Sequence, residues 1–159
     1  MEFEDPIIAR IVAFLERIGI PVAVEPVTDS LLPGATVRNG VLVFDPALPY
    51  PGDLLHEAGH IAVTDPALRT TLAAVSSDPA EEMAAIAWSY AAAVEIDIDP
   101  LLVFHAHGYR GGGDYLLPAL TNDKPIGAPM LQVFGMSGLP RDAERLGLPV
   151  FPKMARWLR

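Results

Sequence analysis

The chain has 159 residues, of which 51% are hydrophobic, and a formal net charge of −9 at pH 7. This length is typical of one domain with a sizeable hydrophobic core. The absence of cysteine excludes disulfide bonds, thiolate metal sites and a cysteine nucleophile, so a metal would have to bind to histidine and carboxylate side chains. The negative charge disfavours nucleic acid as a partner, because phosphate groups would be repelled.

The beginning of the chain and its hydropathy argue against a membrane location. Residues 1–5 are acidic, whereas a secretory signal peptide begins with basic residues. The longest apolar helical stretch, residues 83–94, is too short to span a bilayer. We therefore expect a cytoplasmic protein that binds neither membranes nor nucleic acid.

Asp-Pro pairs occur throughout the sequence, at Asp5, Asp45, Asp65, Asp78 and Asp99. Aspartate at the N-cap followed by proline in the first turn is a strong signal for the start of a helix. We expect at least four of these pairs to begin helices, including an amphipathic helix from Pro6 that stops at Gly19. The helix after Asp78 is apolar on nearly every side, which predicts a place at the centre of the fold.

Short strands are predicted before the middle of the chain. Residues 22–27 have a strand pattern, and residues 35–44 predict two strands joined by Asn39-Gly40, a pair that favours a two-residue type I′ turn. Residues 53–63 predict a helix, and the chain after Asp65 is expected to be almost wholly helical. The expected fold class is α+β, with a small antiparallel sheet and hairpin packed on a mainly helical domain.

An H-E-x-x-H sequence formed by His56, Glu57 and His60 lies in the predicted helix of residues 53–63. Residues four apart share a helix face, so both imidazoles can reach one zinc ion at about 2.0–2.1 Å. Glu57 is then placed as a general base that takes a proton from a zinc-bound water. We expect one Zn²⁺ and peptide-bond hydrolysis. The simpler interpretation is two incidental histidines on a buried helix, which would need other polar partners.

The third zinc ligand has to come from elsewhere in the chain, because a catalytic zinc site has three protein ligands and one open position. The spacing of Asp78 and Glu81 predicts a capping box, which occupies Glu81 and leaves Glu82 on an otherwise apolar helix face. Glu82 is therefore the candidate ligand. A first-turn acid favoured by the helix dipole is the alternative interpretation of Glu82, and Glu81, Asp65 or a histidine stays open as the third ligand.

Four residues further along are candidates for contacts to the substrate or the transition state: His105, His107, Tyr109 and Arg110. A developing oxyanion needs a hydrogen-bond donor, and these side chains can supply one. The alternatives are that the two histidines form a cationic helix end before Gly108, and that Tyr109 and Arg110 belong to a surface loop.

A resemblance is carried by three features in order: the predicted hairpin, HEAGH at residues 56–60 and EEMAAIA at residues 81–87. Over residues 39–94 this arrangement resembles the minimal zincin domain of the ImmA/IrrE class of bacterial metallopeptidases. The resemblance implies one zincin-like metallopeptidase domain over residues 1–159 and cleavage of a specific regulatory protein. It also implies that His56, His60 and Glu82 bind zinc and that Glu57 is the base.

Hypotheses from different functional classes follow. The first is a zinc endopeptidase whose peptide or protein substrate adds a strand to the hairpin edge along residues 41–44. The alternative is a catalytically silent zinc-binding regulatory or protein-interaction module, whose zinc would be closed by a fourth side chain such as Asp65 or His107. A third is an acidic protein-binding domain without metal.

Overall fold

The computed structural model of the chain describes residues 2–108 and 112–159, and in these ranges it contains three strands, seven α-helices and one 3₁₀ helix. The strands are β1 (Val22–Val24), β2 (Ala35–Arg38) and β3 (Val41–Phe44). The helices are α1 (Pro6–Ile18), α2 (Asp53–Val63), α3 (Pro66–Arg69), α4 (Pro79–Glu95), the 3₁₀ helix (Pro100–Leu102), α5 (Gly112–Thr121), α6 (Ala128–Val133) and α7 (Ala143–Leu146). The predicted α+β class is confirmed. Among the described residues, no helix combines the length and the hydrophobicity that crossing a membrane requires.

The sheet is mixed, which corrects the expectation of a wholly antiparallel one. Strands β2 and β3 form the predicted antiparallel hairpin, with a φ of 52° at Asn39 and 75° at Gly40, as a type I′ turn requires. Strand β1 ends three residues earlier than predicted and pairs in parallel with β3, so that the order is β1-β3-β2. Strand β3 takes the centre because it is the most apolar strand, with Leu42, Val43 and Phe44 buried.

The central place of β3 overturns the expectation that a substrate adds a strand along residues 41–44. Both edges of β3 are already paired, one with β1 and the other with β2. Among the described residues β1 and β2 are the edge strands of the sheet, and β2 packs with β3 against α2. An extended peptide beside α2 could therefore pair with the outer edge of β2.

Four Asp-Pro pairs begin helices as predicted. In each, an aspartate Oδ1 accepts a hydrogen bond of 2.7–2.9 Å from the amide two residues later, at Asp5, Asp65, Asp78 and Asp99. The fifth aspartate, Asp45, accepts the same bond from Ala47 but begins only a turn, because Pro49 disfavours helical backbone at the residue before it. The chain after α4 is less helical than predicted, since its helices are short and turns join them.

Helices α2 and α4 pack against each other at the centre of the fold. All 11 residues of α2 are buried, and the inward face of α4 consists largely of alanine. A Cβ atom on Gly59 would lie 2.9 Å from the carbonyl oxygen of Ala85, so only glycine permits this close approach of the two helices. The approach brings the first turn of α4 beside the motif histidines of α2.

Candidate metal centre

The two motif histidines converge on one point within the buried helix α2. His56 Nε2 and His60 Nε2 lie 3.1 Å apart, and their rings are nearly perpendicular at 86°. With Glu57 they form a buried group whose ligand atoms all lie within 4.8 Å of one another. This group could hold a metal ion.

Glu82 reaches the same point from the first turn of α4. Its Oε1 lies 3.5 Å from His56 Nε2, and its Oε2 lies 3.0 Å from His60 Nε2. The side chain is 40% exposed, so one face of the histidine pair is covered by a carboxylate that also meets solvent. The structure therefore brings the third residue of the predicted ligand set to the two histidines.

The capping box that directed the sequence argument to Glu82 is only half formed. Asp78 accepts a hydrogen bond from the amide of Ala80, as an N-cap does. The amide of Asp78 donates to Ser76 Oγ at 3.1 Å instead of to Glu81, so Glu81 lacks the role that the spacing predicted. Glu82 therefore differs from Glu81 in the helix face on which it lies, and not because Glu81 has a capping role.

The donor atoms lie close enough together to share one metal ion. His56 Nε2 and His60 Nε2 are 3.1 Å apart, and each lies near a different oxygen of Glu82, at 3.5 and 3.0 Å respectively. Imidazole nitrogens and carboxylate oxygens are both ligand types that divalent transition metals accept. One departure is His60 Nδ1, which is buried and has no hydrogen-bond partner among the described residues, whereas ligand imidazoles usually donate from their second nitrogen.

Burial sets the protonation of these side chains. It lowers the pKa of His56 to about 3, and the nearby His60 adds to this effect, so the neutral form of His56, which is the form that binds a metal, is favoured. Burial also raises the pKa of Glu57 to about 7, against an opposing attraction to His60. A hydrogen bond to His60 lowers the pKa of the Glu82 carboxyl. Glu57 can therefore exchange a proton near neutral pH.

The metal-binding group opens into a cleft of about 420 Å³. Its lining combines titratable side chains, apolar side chains and one glycine: Asp53, His56, Glu57, His60, Glu82, His107, Leu31, Leu32, Val75 and Gly108. Leu31 is 94% exposed. The cleft therefore combines a polar centre with exposed apolar surface.

The candidate hydrogen-bond donors at residues 105–110 do not all lie in the cleft. His107 is exposed and lines the cleft. His105 instead contacts Asp53, with 2.7 Å between its Nε2 and Asp53 Oδ1. Tyr109 and Arg110 lie outside the described residues, so their proposed contacts stay predictions.

Asp53 is the site residue that the sequence analysis missed. It is only 1% exposed, it lines the cleft, and burial raises the pKa of its carboxyl against the opposing effect of His105. Asp53 lies three residues before His56, and residues at this spacing share a helix face. That spacing is the signal that could have identified it.

Comparison with models of known protein families, with curated proteins and with solved structures gives no match to this chain. The resemblance to the ImmA/IrrE class therefore stays a hypothesis based on the two motifs. The functional argument depends on the geometry of the site itself.

Proposed function

We propose that this protein is a zinc-dependent peptidase in which His56, His60 and Glu82 bind the metal and Glu57 is the general base. The convergence of three donor side chains carries the proposal, because His56 Nε2 and His60 Nε2 lie 3.1 Å apart and each has a Glu82 oxygen within 3.5 Å. Three protein ligands leave one coordination position for water or substrate, as catalytic zinc sites require. The proposal agrees with the zincin-like domain that the sequence motifs resemble.

The chemistry divides between the metal and Glu57. A zinc ion held by His56, His60 and Glu82 would supply Lewis-acid chemistry, polarising a carbonyl group and lowering the pKa of water. Glu57 is next to His56 in sequence, and its carboxylate lies within 4.8 Å of the ligand nitrogens. It can therefore accept a proton from the attacking water and pass it to the amine that leaves.

A peptide is the proposed substrate because an extended chain can pair with the free edge of β2. The amide of Asp45 donates to the carbonyl of Gly34, so Gly34 bonds towards β3. Residues of an antiparallel strand alternate between bonding towards the partner and facing away from it, and Val37, three residues after Gly34, faces away from β3 towards the outer edge. Leu31 and Leu32 precede this strand and line the cleft. A substrate along β2 would thus lead towards the metal centre.

The alternative of a silent module with a closed zinc site has less support. Asp65, one of the side chains that could have closed it, accepts a hydrogen bond of 2.9 Å from Ala67 at the start of α3. A structural zinc site also has no use for a buried carboxylate such as Glu57 next to its ligands.

The deciding experiment compares zinc-loaded wild type with Glu57→Gln in zinc content and in hydrolysis of a peptide library. We expect the variant to keep its zinc and to lose about 10²–10⁴-fold in kcat, the range for loss of a general base. Glu81→Gln, which changes an acid in the first turn of α4, is the matched control and should keep full activity. Full cleavage by Glu57→Gln would contradict the role of Glu57, and zinc-loaded wild type without cleavage would favour the silent module.

A further inference from the structure

A second cluster, formed by Tyr50, Asp53 and His105, lies beside the metal centre and has no part in the chemistry proposed above. Asp53 is one helical turn before His56, and its buried Oδ1 is 2.7 Å from His105 Nε2. The ring of His105 stacks on Tyr50 with 4.0 Å between centroids and 14° between planes. Burying a carboxylate lowers the free energy of unfolding unless the carboxylate is paired, so the contact with His105 offsets this loss of stability.

The hydrogen bonds of His105 determine where its proton lies. Its Nδ1 accepts a hydrogen bond of 3.3 Å from the amide of His107. A nitrogen that accepts carries no proton, so the proton of the neutral ring is on Nε2 and is donated to Asp53. One imidazole therefore connects helix α2 to the backbone of His107.

Two glycines allow the segment from Leu102 to Gly108 to lie directly on the start of α2. Gly52 has no room for a Cβ atom against the carbonyl oxygen of Leu102. A Cβ atom on Gly108 would lie 3.0 Å from the ring of His105. Gly52 therefore lets this segment pack closely on the start of α2, and Gly108 lets the chain pass close to the ring of His105.

The geometry points to Asp53 and His105 as positioning residues that hold His107 in the cleft as a hydrogen-bond donor to the substrate carbonyl. This inference rests on the proposed peptidase function. His107 lines the cleft with His56 and Glu57, and its ring stacks on Tyr50 at 5.6 Å. Its amide is held by His105 and its ring by Tyr50, so the donor is oriented before negative charge develops on the carbonyl oxygen.

The kinetic test uses the zinc-loaded full chain and a peptide that the wild type cleaves. His107→Ala should lower kcat about 10²–10³-fold, the effect of losing one oxyanion donor, while KM and zinc content stay the same. His107 is exposed, so this variant is expected to fold. A His107→Ala enzyme with wild-type kcat would overturn the inference and leave the peptidase function intact, whereas wild type that cleaves no peptide would contradict both.

Variants of Asp53 test whether it acts through His107. Asp53→Asn keeps an oxygen acceptor for His105 Nε2 and should retain most of the activity that Asp53→Ala loses. In the His107→Ala background, Asp53→Ala should cost no further activity, because residues that act as a unit are not additive. A full additive loss would overturn the positioning role. Asp142→Ala removes a carboxylate that accepts from Gln132 outside the cleft, and this control should keep wild-type kcat.

Imidazole NMR of the zinc-loaded chain tests the geometry without turnover. We expect His105 to carry its proton on Nε2, with slow exchange in the wild type and in Asp53→Asn and fast exchange in Asp53→Ala. A proton on Nδ1 of His105 would overturn the inference, because the amide of His107 would then have no acceptor there.

Discussion

The four histidines of this protein form two pairs, and the pairs differ in how far their spacing along the chain sets the direction of the two imidazoles. His56 and His60 are four residues apart on α2, and their Nε2 atoms lie 3.1 Å from each other. His105 and His107 are two apart in a loop, their ring centroids are 6.4 Å apart, and Tyr50 stacks on both. Helical spacing directs two side chains to one point, whereas loop spacing leaves their directions to whatever packs around them.

The two pairs also differ in the carboxylate that contacts them. Glu82 faces both nitrogens of the helical pair with its two carboxylate oxygens, so three side chains converge where one cation could lie. In the loop pair, Asp53 contacts only His105, and His107 stays exposed. The helical pair is therefore suited to binding a metal, and the loop pair to holding and presenting one donor.

The largest effect should come from removing a histidine of the helical pair, with the loop pair as the comparison. His60→Ala should lower zinc affinity by more than the roughly 100-fold that loss of an outer hydrogen-bond partner can cause, and peptide cleavage should disappear. His107→Ala should bind zinc like the wild type. Competition against a chelator of known affinity measures both, and equal zinc affinities in the two variants would remove the distinction between the pairs.

A smaller effect is expected when the carboxylate partner of the helical pair is neutralised. Glu82→Gln keeps the shape of the side chain but weakens a ligand, and zinc affinity should fall at least about 10-fold. Glu81→Gln, one residue earlier on the same turn, should leave zinc affinity unchanged. If both variants bound zinc equally well, Glu82 would not be a ligand and the third ligand would have to be sought among the other acids or histidines.

The smallest effect should be that of acid on the stability of the metal-free protein. It arises because His56 and Glu57 are buried and their pKa values are shifted in opposite directions. The unfolded chain protonates His56 below about 6.5 but the folded chain only near 3, so falling pH destabilises the fold between these two values. The contribution of Glu57 to the pH dependence of stability has the opposite sign. Its folded pKa of about 7 exceeds the ordinary 4.5, so the folded state gains a proton and stability as pH falls through that window.

These opposed effects should keep the unfolding free energy nearly level from pH 6.5 to 4.5. Below 4.5 it should fall, and the lowered pKa of Glu82 contributes to that loss. Glu57→Gln removes the stabilising effect, so its stability should already decline from pH 6.5. Urea unfolding with a chelator present at several pH values measures the difference, and parallel curves for the two proteins would contradict this account.

Local features of the fold could be predicted because the interactions behind them span only a few residues. The aspartate caps bind an amide two residues away, and the turn at Asn39-Gly40 needs only two residues with positive φ. The motif on α2 depends on helical spacing alone. The prediction of a capping box at Glu81 was wrong although it is equally local, because Ser76 competes for the amide of Asp78.

The sequence by itself thus determined the helix starts, the hairpin and the convergence of His56 and His60, since helical and turn geometry set these directions without help from the rest of the chain. The tertiary structure decided the rest. It placed β3 between β1 and β2, brought Glu82 to the histidines through the close contact at Gly59, and joined Asp53 to His105 across 52 residues. The apolar helix face around Glu82 marked it as a candidate, but no local pattern encodes the contacts themselves, because they depend on which distant surfaces pack together.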